Sequence, residues 1–151
     1  MKILLDADSC PRDARDLVLR RAAKLDLRVI FAANCHIPGS EAEIAEMEIC
    51  PKEDNSADDR IVELAEKGDL VITRDIPLAK RLVEKGIDAL DDRGRVFTVN
   101  NINELLSLRN FMVGLADSGM GIERIANYGK KELKSFADSL DRILTKRLTK
   151  L

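Results

Sequence analysis

Apolar residues along the chain fall into short unbroken runs, separated by stretches in which they recur every three or four positions. Residues 2–6, Lys-Ile-Leu-Leu-Asp, form such a run closed by an acid, and Ala14, Leu17, Val18, Ala22 and Leu25 then follow at helical spacing. A strand followed by a helix is predicted. Residues 28–33 read as a second strand, and a loop carrying Asn34, His36, Pro38 and Gly39 leads to Met47-Glu48-Ile49, a third. From Ser56 the helical period resumes through Ile61, Val62, Leu64 and Ala65, stops at Gly68, and gives way to a strand over residues 70–73. A helix over residues 76–85 stops at Gly86 before the strand 87–90. The segments Ala65-Glu66-Lys67-Gly68 and Val83-Glu84-Lys85-Gly86 repeat one punctuation: a basic last turn, then a glycine able to take the left-handed cap. A brief strand over 96–99, a helix over 102–115 and a charged helix over 130–150 complete the pattern, with residues 117–121 as its flexible joint.

Strands alternating with helices of this length argue for right-handed βαβ crossovers and a parallel sheet covered on both faces, and the continuous apolar strands agree. The expected fold is a three-layer α/β/α sandwich with a mostly parallel central sheet. It forms a single domain over residues 1–151, with a helical extension from about residue 120. At 45% apolar and 34% charged, the composition is globular and excludes a disordered or fibrous chain. No run approaches the roughly 18 apolar residues of a membrane span, and acid at position 6 interrupts any signal-peptide core. A cytoplasmic protein without membrane attachment is expected. Cys10, Cys35 and Cys50 show neither disulfide nor zinc spacing and read as reduced thiols.

Charge narrows the partners. With 25 basic against 27 acidic side chains, no global field attracts a polyanion, so a nucleic-acid partner needs a local patch. The absence of Trp, with one Tyr and four Phe, argues against recognition by base stacking.

Carboxylates recur at predicted strand ends: Asp6 and Asp8 after the first, Asp75 after the strand 70–73. In an open parallel sheet these ends share one rim, where ligands bind beside a topological switch point. Helix capping is an alternative for Asp75, ahead of Pro77, and for Asp8 or Ser9, ahead of Pro11, but it explains Asp6 poorly. Ser56 and Asp59 match a capping box, whereas Asp58 leads the apolar stripe of Ile61, Val62 and Ala65 and so points inward. Its alternative role is pairing with Arg60 or another arginine, or with the helix dipole. Converging carboxylates repel unless a hard cation such as Mg²⁺ or Mn²⁺ joins them, which is the chemistry of metal-assisted phosphoryl transfer. His36 lacks a partner nucleophile motif and reads as a surface residue. Cys10 reads either as a helix-start thiol of lowered pKa or as a small packing residue. Arg12, Arg15, Arg74, Arg93 and Arg95 are candidate phosphate contacts. The basic residues between Lys130 and Lys150 alternate with acids and read as a soluble helix face.

The motifs Asp6-Ala-Asp8-Ser9-Cys10-Pro11, Ala57-Asp58, Gly68-Asp69-Leu-Val-Ile-Thr73-Arg74-Asp75-Ile-Pro77, Arg93-Gly94 and Leu108-Arg109-Asn-Phe111-Met112 resemble those of the YaiI/YqxD family. That family is similar to a branch of the PIN-like nucleases. The resemblance implies a PIN-like fold and a metal-dependent phosphodiesterase acting on RNA. It carries the acids of the metal site over to Asp6, Asp58 and Asp75, with Asp8 in the family's own corner; the catalytic and Mg²⁺- or Mn²⁺-binding set is thus expected to be Asp6, Asp8, Asp58 and Asp75, with Ser9, Arg12, Thr73, Arg74, Arg93 and Arg109 toward substrate. The chain departs from the pattern at Arg74 and Asp59, where the family commonly has Ala and Asn. Glu41, Glu43 and Asp54 are candidates for the further acid that PIN nucleases carry on an early helix. Two other readings stand beside the nuclease: a catalytically inactive PIN-like module binding RNA, a nucleotide or a protein, and a phosphatase whose D-x-D corner is Asp6-Ala-Asp8. Homo-oligomerisation is compatible with all three.

Overall fold

The computed structural model describes residues 1–38, 42–53, 55–117 and 128–149. Eleven elements follow in order among them: β1 (Lys2–Asp6), α1 (Arg12–Leu25), β2 (Arg28–Ala33), β3 (Ala45–Ile49), α2 (Ser56–Leu64), β4 (Leu70–Ile72), α3 (Ile76–Glu84), β5 (Asp88–Leu90), β6 (Val96–Phe97), α4 (Ile102–Asp117) and α5 (Lys130–Leu148). The strands form one sheet in the order β3-β2-β1-β4-β5-β6, parallel throughout except for the antiparallel β5–β6 edge. The α/β sandwich expected from the alternation is therefore present.

Strand periodicity sorts the core into two clusters. Ile3 and Leu5 of β1, Val29 and Phe31 of β2 and Leu70 and Ile72 of β4 face one side, where they meet Ala14, Leu17 and Val18 of α1 and Phe136, Leu140 and Leu144 of α5. Leu4, Ile30 and Val71 face the other, against Ile61 of α2, Leu78 and Leu82 of α3 and Ile102 of α4. Because side chains alternate along a strand, both faces must be apolar for a sheet covered on both sides.

The last helix belongs to the first of these clusters, although its sequence reads as a charged surface helix. Phe136 and Leu140 are fully buried, Arg21 of α1 meets Asp141 at 2.8 Å, and Arg147 meets Asp88 of β5 at 2.6 Å. Gly94, in the β5–β6 turn, has φ +91°, and a Cβ there would stand 2.5 Å from the Ser135 carbonyl oxygen. The turn and α5 are thus in backbone contact.

Several boundaries depart from the sequence expectation, each for a local reason. The helix predicted to reach Ala65 and stop at Gly68 ends at Leu64, with Ala65 already extended. Asp69 holds the following turn, accepting from the Glu66 amide at 2.9 Å and from the Lys2 amide and ammonium at 3.0 and 2.6 Å. Gly68 (φ +96°) accordingly lies in that turn, whereas Gly86 (φ +76°) follows the α3 cap as expected. The capping box at Ser56 does not form: Ser56 donates to the Pro51 carbonyl, and the N-cap is Asn55 in the left-handed region. β6 stops at Phe97 because Thr98 and Asn101 exchange hydrogen bonds of 2.8 and 3.1 Å that open α4. The joint expected at 117–121 lies, beyond Asp117, outside the described residues. Among the described residues no helix is long and apolar enough to cross a membrane.

Candidate functional site

The chain runs β1, β2, β3 outward and then returns to place β4 on the other side of β1. Strand order reverses between β1 and β4, so their carboxyl ends open the crevice in which ligands of doubly wound sheets bind. Asp6 is the last residue of β1 and shares the parity of Leu4, which points toward the α2 and α3 layer. Thr73, just past β4, donates its hydroxyl to Asp6 Oδ2 at 2.9 Å. The same oxygen of Thr73 accepts the Asp75 amide at 3.0 Å, and Asp75 Oδ1 caps α3 through the Leu78 amide at 3.0 Å. Asp58, in the first turn of α2, lies close enough to Asp75 and Asp6 for their charges to act on its carboxyl group.

Three carboxyl groups from three elements thus meet on the rim. Burial pushes Asp58 up to about 6 from its ordinary 3.8, helped by the charges of Asp75 and Asp6 and opposed by Arg81. Asp6 is raised as well, first by burial and then by Asp75 and Asp8, while the Thr73 hydroxyl pulls it back. Between about pH 3.8 and 6 the folded chain therefore binds a proton at Asp58 that the unfolded chain has released. The stability this confers is fully present below about 3.8 and is lost as pH rises through about 6. A shift of two units corresponds to about 3 kcal/mol, which the partial exposure of Asp58 reduces to roughly 1 kcal/mol. In chelator, Asp58→Asn should raise the thermal midpoint at pH 7 and keep only about half of that advantage at pH 5. Equal midpoints of the two proteins at both pH values would remove the assignment.

The remaining sequence-derived residues divide. Ser9 Oγ reaches Asp6 Oδ2 at 3.4 Å and the Asp6 carbonyl at 3.3 Å, so Ser9 and Thr73 support Asp6. Neither Asp8 nor Ser9 caps α1, whose N-cap is Pro11. Asp8 is exposed and turned toward the end of β2, where it accepts the Asn34 amide at 3.0 Å. Arg74 pairs with Asp92, and Arg93 lies over the Tyr128 ring at 5.8 Å and 3.8 Å from Glu132. Arg12, with its side chain 81% exposed, leans on Asp16, and Arg109 sits on the exposed half of α4 bonded to Asn110. Neither is brought to the acids by a contact. Glu43 precedes β3 and so lies at the opposite rim, while Glu41 and Asp54 fall outside the described residues. A cleft of about 550 Å³ with Asp26, Arg28 and Glu43 in its wall also opens at that opposite rim, away from the acid cluster.

The structure adds Asp91 and Asp92, which follow β5 as Asp6 ends β1. Asp91 closes the β5–β6 turn through the Arg93 and Arg95 amides at 2.9 and 2.8 Å, and Asp92 is buried. Their signal, acid directly after an apolar strand, was present in the sequence. Cys10 is buried, which pushes its thiol up to about 12 and settles the choice between the reactive and packing readings in favour of packing.

Hard oxygen donors suit Mg²⁺ or Mn²⁺. Among the described residues no group of three or more acids, imidazoles and thiols is arranged so that all could ligate one ion directly. Any ion here would be held directly by at most two of these carboxylates, with water in its other positions.

A model of the family described as "Uncharacterized BCR, YaiI/YqxD family" matches residues 4–146. The chain belongs to the YaiI/YqxD family. Within that family, it is 47% identical over 148 residues to a UPF0178 protein of Treponema denticola, covering 98% of this chain and 94% of the relative. It is 44% identical to a UPF0178 protein of Treponema pallidum, covering 98% and 84%, and 42% identical to one of Stutzerimonas stutzeri, covering 97% of each. No solved structure matches the chain. YaiI/YqxD membership spans all three site acids and β1 to α5.

Proposed function

We propose that this chain is a PIN-like, metal-dependent phosphodiesterase that cleaves RNA at the β1–β4 crevice. The observation that carries the reading is the meeting of Asp6, Asp58 and Asp75, with burial and mutual repulsion disfavouring the charges of Asp6 and Asp58. Capping accounts for Asp75, but no local backbone role accounts for three acids from three elements. When bound, Mg²⁺ or Mn²⁺ would offset that repulsion, polarise a phosphate oxygen and lower the pKa of an attacking water. One or two of Asp6, Asp58 and Asp75 would hold the ion directly, and the rest of the cluster, with Asp8, would support it through water. Thr73 and Ser9 keep Asp6 in one orientation by donating to it, and the Leu78 amide does the same for Asp75. Rigid orientation lets a carboxylate hold an ion or accept a proton without reorganising during the reaction. Arg74 would orient phosphate.

The α3 cap bond of Asp75 specifically favours the rival reading, a non-catalytic binding module in which the acids are structural. Thermal unfolding of chelator-treated protein separates the two. Titrating Mn²⁺ to roughly 100 times its dissociation constant should stabilise the wild type by about 2.7 kcal/mol, several degrees for a domain of this size. Asp75→Asn should abolish the shift. An unchanged wild-type midpoint at millimolar ion would transfer the assignment to the binding module.

A further inference from the structure

Arg12, Arg15, Arg74 and Arg93 stand around the carboxyl rim of the sheet, and three of them have carboxylate partners: Asp16, Asp92 and Glu132 respectively. Arg15 has none among the described residues. Its Nε is closed off from solvent and meets no acceptor, and it is the one buried side-chain polar atom so placed among those residues. The Arg15 amide donates to the Pro11 carbonyl at 3.0 Å, which sets the residue one helical turn past Pro11, the neighbour of Cys10. Arg15 lies in the first turn of α1, which follows β1, and Arg74 follows β4, the strand paired with β1, so both stand on the rim that carries Asp6, and the charges of both act on the Cys10 thiol.

A partly buried guanidinium without a counter-charge is costly, and water cannot relieve its Nε here. An anion meeting the terminal nitrogens would supply the missing counter-charge, although the Nε itself stays unpaired. Arg74 has the complementary arrangement: buried Asp92 grips it, while about half of its side chain stays exposed. Tyr128 fixes Asp92 in turn, donating its hydroxyl to the Asp92 carbonyl at 2.6 Å. A planar guanidinium anchored on one edge can offer its free donors as a fork to phosphate oxygens.

We propose that Arg15 and Arg74 form an anion subsite beside Cys10 that takes a phosphoryl group adjoining the acidic crevice, with Asp92 as the residue that positions Arg74. The choice of phosphoryl over other anions rests on the phosphodiesterase reading. The subsite itself rests on the uncompensated charge of Arg15. Its ligand is a phosphoryl group from either a free nucleotide or pyrophosphate, or from the backbone of a nucleic acid.

Calorimetric titration with inorganic pyrophosphate and, separately, with a short RNA, in chelator at low salt, tests the subsite without any metal. Arg15→Ala and Arg74→Ala should each weaken binding by about tenfold. Arg15→Met, which keeps the apolar stem, should weaken it as much as Arg15→Ala. Arg20→Ala, which removes a charge from an exposed position on the same helix, should leave it unchanged. Arg15-dependent binding of pyrophosphate identifies a site for free phosphoryl groups, and Arg15-dependent binding of RNA alone identifies a backbone site. Absence of binding to both ligands, or an equal loss in Arg20→Ala, would overturn the proposal. Asp75→Asn should retain this binding while losing the Mn²⁺ shift, so the metal reading and the subsite can fail independently.

Discussion

Asp6→Asn should lower Mn²⁺-dependent cleavage of a labelled RNA by roughly a hundredfold or more, because it removes a charged ligand that a neutral amide replaces poorly. The metal-free fold should not suffer. Asp6 is raised by burial and by neighbouring acids, so its charge is disfavoured in the folded chain, and removing it relieves repulsion with Asp75 and Asp8. The amide oxygen can still accept from Thr73, which keeps β1 and the β4 end joined. The expected result is therefore a split: activity collapses while the midpoint in chelator stays level or rises. Full activity in Asp6→Asn and Asp75→Asn together would remove the mechanism. A collapse of both activity and midpoint would instead show that Asp6 is structural.

The largest effect on stability is expected at Phe136→Ala. Phe136 is wholly buried between α1 and the sheet, in the cluster that also holds Leu140 and Leu144 of α5. Truncating such a ring costs about 3–5 kcal/mol, from lost transfer energy and the cavity left behind. At this chain length that lowers the midpoint by roughly 10 °C. The damage should reach the site, because α5 braces the β5–β6 turn through Ser139 Oγ to the Gly94 carbonyl at 2.6 Å, and that turn carries Asp92. Denaturant unfolding measures the loss directly. A cost under about 1 kcal/mol would mean that α5 can leave the sheet without opening the core.

Much of the site was legible because its acids stand next to local signals. Asp6 ends an apolar run, Asp75 precedes a proline-started helix, and Asp58 occupies the inward phase of its own helix. Each signal is carried by a few neighbouring residues, so no long-range contact was needed to read it. Asp91 and Asp92 carry the same local signal after β5, but their use depends on Arg74 and Tyr128, separated from Asp92 by 18 and 36 positions. Arg12 and Arg15 were indistinguishable in sequence. Only packing leaves one exposed against Asp16 and the other with its Nε sealed and unpaired.

By itself the sequence determined the alternation of strand and helix, the burial of both sheet faces and the family, because apolar periodicity and strand-end acids are local properties of the chain. The tertiary structure alone decided the reversal of strand order beside β1, the convergence of Asp58 on Asp75, and the docking of a charged helix through Phe136 and Leu140. Those depend on which distant segments pack together. Residue spacing along one helix or strand does not encode its neighbour, whereas the burial, Coulombic repulsion and strand pairing that build this site arise between elements.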